Sequence, residues 1–201
     1  MTESPTMGRR ERNKQAKLER ILAAAGSLLA ERSIDEVTTQ EVAEAADIAT
    51  GTLFLYAKTK GELLLMVQNA HYRQALDRGM ARAARLEEPL EAVMAILRPI
   101  IDCNRAQRDN GVAYLREITF GDSAEAHRAE ALTIVQETEV AVAAVIGRTS
   151  SAGAAGVAAH LINGAMLLAL AGAGDADNDA VAAEVRQGVE LVLRCPPPLP
   201  A

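Results

Sequence analysis

The stretch "TTQEVAEAADIATGTLFLYA", from Thr38 to Ala57, holds two helical patterns separated by too few residues for an ordinary loop. Thr38 followed three residues later by Glu41 predicts a capping box, in which each side chain satisfies the other's free backbone amide. The helix that follows, over 39–46, carries Val42, Ala43 and Ala46 on one face, and alanine admits a close neighbour. Asp47 then stands where the chain must reverse. Aspartate tolerates the left-handed conformation better than most residues. Ile48 is expected beneath that turn, and Thr50 starts a second helix that ends by Ala57 with Leu53 inward. A longer helix over 9–31 precedes the pair. Its Leu18, Ile21, Leu22, Ala25, Leu28 and Leu29 recur at helical spacing and form one buried stripe. Two short helices at a tight turn, braced by a long one, predict a helix-turn-helix.

The chemistry of the exposed side follows from that placement. Thr50, Gly51 and Thr52 sit at the open end of the second helix, where hydroxyls and a bare backbone suit phosphates and base edges. Phe54 and Leu55 offer apolar contact, Tyr56 a phenol, and Lys58 and Lys60 charge. The same spacing also describes a small helical hairpin with two core aromatics and a solvated lysine pair.

Charge distribution favours the first reading. The chain has a net charge of −6 over 201 residues, yet six cations face two carboxylates between Arg9 and Arg20. A basic end on an acidic chain points to polyanion binding at that end. The scarcity of aromatics, at 2%, and the abundance of Ala, Leu and Glu favour helix over strand. No apolar run follows a basic start, so no secretory signal is expected. The most apolar run, 161–174, is shorter than a bilayer requires and includes Asn163, which makes it a buried helix. Cys103 and Cys195 read as ordinary thiols of a reduced, cytoplasmic protein. Further helices are expected over 61–86, over 89–108 with a kink or break at Pro99, over 112–120, over 124–146, up to 171, and over 180–194. That makes an all-α chain of about nine helices, with a disordered leader over 1–8 and a disordered tail over 196–201.

Three motifs in order, "ILAAAGSLLAERSIDEVT", "VAEAADIATGTLF" and "YAKTKGELL", resemble the N-terminal domain of TetR-type (TetR/AcrR) transcriptional regulators. The resemblance implies a DNA-binding domain over 9–60 and an effector-binding and dimerisation domain over 61–195. It also implies a homodimer on a palindromic operator, released when a small molecule binds. Carried over by position, Thr38, Thr39 and Gln40 meet double-stranded DNA. Ala49, Thr50, Gly51 and Thr52 lie near base edges, and Phe54, Leu55, Tyr56 and Lys60 flank them. Four positions depart from the family pattern. Ser33 and Asp47 stand where glycine is usual, Phe54 replaces a tyrosine, and Ala57 replaces a larger apolar residue.

The second half supplies candidates without a motif. Polar or adaptable residues proposed to face an effector are Met66, Tyr72, Met94, Cys103, Asn104 and Tyr114. Glu117, Phe120, His127, His160, Asn163 and Met166 complete that set. Small residues Ala155, Ala158, Ala159, Ile162 and Ala165, with a stripe of Val181, Val185, Val189 and Val192, are the candidate dimer interface. An ordinary intramolecular core reads the same way. No phosphate-binding glycine loop, nucleophile elbow or metal-ligand spacing is visible, so neither enzyme activity, a cofactor nor a metal is expected. A dimeric helical adaptor that binds a small molecule without DNA is the remaining alternative.

Overall fold

The computed structural model describes residues 8–194, and those residues form nine α-helices without a strand. The leader over 1–7, Cys195 and the tail over 196–201 lie outside the described residues. The helices are α1 (Arg9–Glu31), α2 (Thr39–Ala45), α3 (Thr50–Leu53), α4 (Lys60–Ala83) and α5 (Pro89–Arg105), then α6 (Arg108–Phe120), α7 (Ala126–Ile146), α8 (Ala152–Gly172) and α9 (Asn178–Arg194).

Local chemistry sets most of their ends. Both halves of the Thr38–Glu41 capping box form, at 3.1 Å to the Glu41 amide and 2.8 Å to the Thr38 amide. Hydrogen bonds from the Thr38 amide and hydroxyl, and from Arg32, hold the Glu41 carboxyl down at about 2. Helix α1 leaves through an extended Arg32, and the Ser33 amide and hydroxyl both donate to Glu36. No left-handed residue is needed there, which is why serine serves where glycine is usual. Pro99 sits inside α5 without ending it, so the expected interruption does not occur.

The six later helices enclose the main core around α4 and α5. These two cross closely because residue 79 is glycine: a Cβ there would lie 2.8 Å from the Ile96 Cα and 2.9 Å from the Ala95 carbonyl. Helix α4 also packs on α1, α6 and α7, and so joins the first three helices to the rest. The α1–α3 unit has its own buried centre in Ile21, Ala25, Val42, Ala43 and Leu53. Helix α8, at 21 residues and mean hydropathy 1.7, is long and apolar enough to cross a membrane by length and composition alone. In the fold it packs between α7 and α9, with Ala155, Ala159, Ile162 and Met166 turned into the core.

Candidate nucleic-acid interface and regulatory cavity

The turn between α2 and α3 is built as its sequence requires. Asp47 has φ +52°, and the amides of Asp47 and Ile48 reach back to the carbonyls of Glu44 and Ala43. This is the double hydrogen bond that closes a helix through one left-handed residue. Arg20 of α1 fastens the turn from outside, donating to the Asp47 carboxylate at 3.0 Å and to its carbonyl at 3.3 Å. The angle between α2 and α3 is therefore held by α1.

Helix α3 is shorter than the expected 50–57. It covers Thr50–Leu53, starts from Ala49 without a side-chain cap, and continues as turns in which Tyr56 and Ala57 bond the Leu53 carbonyl. Leu53 is fully buried, while Ala49, Gly51, Phe54 and Leu55 are exposed, Leu55 by 83%. Thr50 and Thr52 are half-buried. Gly51 has nothing within 4 Å of where a Cβ would stand, so its face is open to an incoming surface.

Two side chains assigned to phosphate contact are already engaged. The Tyr56 hydroxyl donates to the Lys14 carbonyl at 3.2 Å, tying the α3 segment to α1. Lys60 Nζ donates to the Asp35 carbonyl at 2.9 Å. Thr38 is exposed but its hydroxyl serves the capping box, and Gln40 donates to Glu44 at 2.8 Å. Thr39 is half-buried. The residues that the positional carry-over left out are the α1 cations. Arg9, Arg10, Lys14 and Lys17 line one groove with Thr52, Leu55 and Tyr56, about 1020 Å³ in volume. The signal for them was present in the basic run itself.

Residues 21–67 match the family model described as "Bacterial regulatory proteins, tetR family". That stretch is a TetR-type DNA-binding domain by sequence. Similar solved structures extend the likeness in fold over most of the chain. A TetR transcriptional regulator from Rhodococcus sp. RHA1 is 20% identical with TM-score 0.71, covering 90% of this chain and 98% of its own. Thermus thermophilus FadR, a repressor solved with lauroyl-CoA, is 20% identical with TM-score 0.68, covering 92% and 99%. Bacillus subtilis FadR, solved with stearoyl-CoA, is 15% identical with TM-score 0.66, covering 88% and 97%. A search of curated protein sequences returns no match.

Beyond the TetR helix-turn-helix, a small cavity of about 30 Å³ lies among α4 to α8. Four of the proposed effector residues, Tyr72, Tyr114, Asn163 and Met166, line it, together with Ile118, Thr138 and Leu170. The two tyrosine rings stack with centroids 4.6 Å apart. Burial pushes both phenols well above their ordinary range, so they stay protonated. No charged side chain lines the cavity among the described residues.

The other eight candidates lie elsewhere. Met66 is core, and Met94 faces a groove beside α9. Cys103 lines a cleft beside α1, and buried Asn104 donates to the Tyr72 hydroxyl at 2.7 Å. Glu117 lines a surface pocket near Thr59, Phe120 is 83% exposed, and His160 is an exposed partner of Glu139. His127 has a linking position. Its Nε2 donates to the Tyr56 carbonyl at 3.0 Å, and its own carbonyl accepts from Asn69 at 2.8 Å. Asn69 Oδ1 in turn accepts from the Tyr114 hydroxyl at 2.8 Å. A hydrogen-bonded chain thus runs from the cavity wall to the α3 segment.

The proposed dimer stripes need correction. Ala155, Ala159, Ile162, Val181, Val185 and Val189 are buried within the protomer, because α8 and α9 use those faces against each other and against α5 and α7. Ala158 and Val192 are half-buried, and Ala165 is exposed. The outward face of α8 carries instead Val157, Leu161 and Leu168, the last 75% exposed, with Leu191 of α9 also exposed.

Proposed function

We propose that this chain is a cytoplasmic homodimeric TetR-family repressor that holds an inverted-repeat operator and releases it when a small molecule enters the Tyr72–Tyr114 cavity. In this reading residues 9–60 form the DNA-binding domain, and 61–195 the effector-binding and dimerisation domain. The observation that carries it is the groove in which four α1 cations converge with the exposed α3 segment, a match to a sugar-phosphate backbone beside a major groove. The exposed apolar face of α8 supports a dimer, since a monomer gains nothing by presenting such side chains to water.

The apolar cavity suits an uncharged hydrocarbon segment. Two structurally similar regulators were solved with acyl-CoA ligands. At about 30 Å³ the closed cavity has room for little more than a water, so a ligand must displace its walls. Met166 is the adaptable wall residue. Movement of Tyr114 would pass through Asn69 and His127 to the carbonyl of Tyr56, giving the effector unequal affinity for two orientations of α3.

Selection from a random duplex pool is expected to recover an inverted repeat with half-sites centred whole helical turns apart, roughly 34–36 Å or a multiple. Recovery of no preferred sequence, or of one half-site bound by a monomer, contradicts this reading.

A further inference from the structure

We propose that the cleft between α1, α4 and α5 is a second ligand site, for an elongated small molecule with an oxyanion at one end and a hydrogen-bonding group at the other. It is separate from the Tyr72–Tyr114 cavity. The cleft has a volume of about 520 Å³, within the usual range for small-molecule sites. Its floor is one face of α4, where Gln68, His71, Arg78 and Arg82 recur at helical spacing. Leu29 of α1 forms one wall, and Arg98 and Cys103 of α5 the other.

Two features of this floor present polar groups to an occupant. Arg78 and Arg82, one turn apart on α4, form no ion pair among the described residues. Two like charges at that spacing repel each other, and an oxyanion between the guanidinium groups removes the repulsion and adds charge-assisted hydrogen bonds. Arg98 is already taken by Asp102 at 2.9 Å and Asp179 at 2.7 Å, so the available charge is localised at Arg78 and Arg82. At the other end Gln68 is only 7% exposed, and its amide has no hydrogen-bond partner among the described residues. Its polar atoms keep access to the cleft, where an occupant can pair with them.

Between these ends the α5 wall carries the Arg98–Asp102 ion pair, whose charges offset each other, beside Pro99, Cys103 and Ala106. Burial pushes the Cys103 thiol up to about 11 and lowers the His71 imidazole below its ordinary value, so both are neutral near pH 7. Ten residues of helix separate Gln68 from Arg78, or about 15 Å along α4. The ligand class is therefore an organic carboxylate or phosphate about that long, with an apolar middle and a polar far end. Because α1 belongs to the DNA-binding helices, an occupant bridging α1 and α5 would also bias operator affinity, a consequence that rests on the repressor reading.

The test is binding itself, measured on the full-length chain without DNA by the side-chain amide and guanidinium resonances of ¹⁵N-labelled protein. The probes are ω-hydroxydodecanoate and ω-hydroxydodecyl phosphate, and the tighter of the two identifies the head group. Saturable shifts of the Gln68 side-chain amide are expected, assigned by their loss in Gln68→Leu. Affinity is expected to fall about 100-fold in the Arg78→Ala/Arg82→Ala double variant, about tenfold for each charge-assisted contact. Because both arginines are exposed, that variant is expected to keep its fold, checked by its backbone spectrum. Shifts of the Asn163 side-chain amide in the Tyr72–Tyr114 cavity instead of Gln68, affinity unchanged in the double variant, or saturation by neither probe would each overturn the proposal.

Discussion

Replacing Asn110 by alanine is expected to lower stability by about 3–5 kcal/mol and to reduce the melting temperature by about 10 °C. Asn110 is fully buried at the start of α6 and bonds the far end of α1 three times. Its Oδ1 accepts from the Ile34 amide at 2.7 Å, and its Nδ2 donates to the carbonyls of Leu29 at 2.8 Å and Arg32 at 3.0 Å. Truncation removes the partner of three backbone groups, and two of the lost bonds, to the Ile34 amide and the Leu29 carbonyl, are buried. The joint is also the polar seam between the α1–α3 unit and α6. Hydrogen exchange at the Ile34 amide is therefore expected to accelerate more than exchange at Leu64 or Leu97, which lie in the core. Equal acceleration at all three sites would show that Asn110 acts only on global stability.

Leu168→Glu together with Leu161→Glu is expected to leave the protomer folded and to separate the proposed dimer. Leu168 is 75% and Leu161 57% exposed on the outward face of α8, so neither substitution disturbs the protomer core. Four carboxylates brought together across a two-fold axis oppose the apolar contact expected there. Operator affinity is expected to fall by about 10²–10⁴-fold, because each half-site is then bound without the effective concentration supplied by its neighbour. Light scattering reads the mass, and a band-shift titration reads the affinity. A variant that remains dimeric with unchanged operator affinity would remove α8 from the interface.

The helix order was legible in the sequence, because each end is set by neighbours a few residues away. Thr38 with Glu41 and the left-handed Asp47 are local signals, and both act as such. What was not legible depends on partners far along the chain. Tyr56 and Lys60 read as free donors, yet they bond carbonyls of Lys14 and Asp35, which no local spacing reveals. The valine stripe of α9 marks a buried side correctly, but apolar periodicity does not distinguish burial within a protomer from burial between two. Polarity or adaptability marks the cavity candidates in the sequence, whereas the cavity walls are mostly aliphatic residues such as Ile100, Ile118 and Ile134. Aliphatic side chains around a void look like any other core in sequence. The α1 cations were visible as a basic run, but only the fold sets them in one groove with Thr52 and Leu55.

The proposed DNA binding rests on that groove as the seat of a DNA backbone, and the salt dependence of duplex binding measures it most directly. For the parent chain the logarithm of the binding constant is expected to fall linearly with the logarithm of salt concentration, with a slope steeper than about −4. Changing Arg10, Lys14 and Lys17 to alanine is expected to flatten that slope by about 2 or more while the melting temperature stays unchanged, since all three side chains are exposed. A slope near zero in the parent chain, or the same slope in the triple variant, would contradict it.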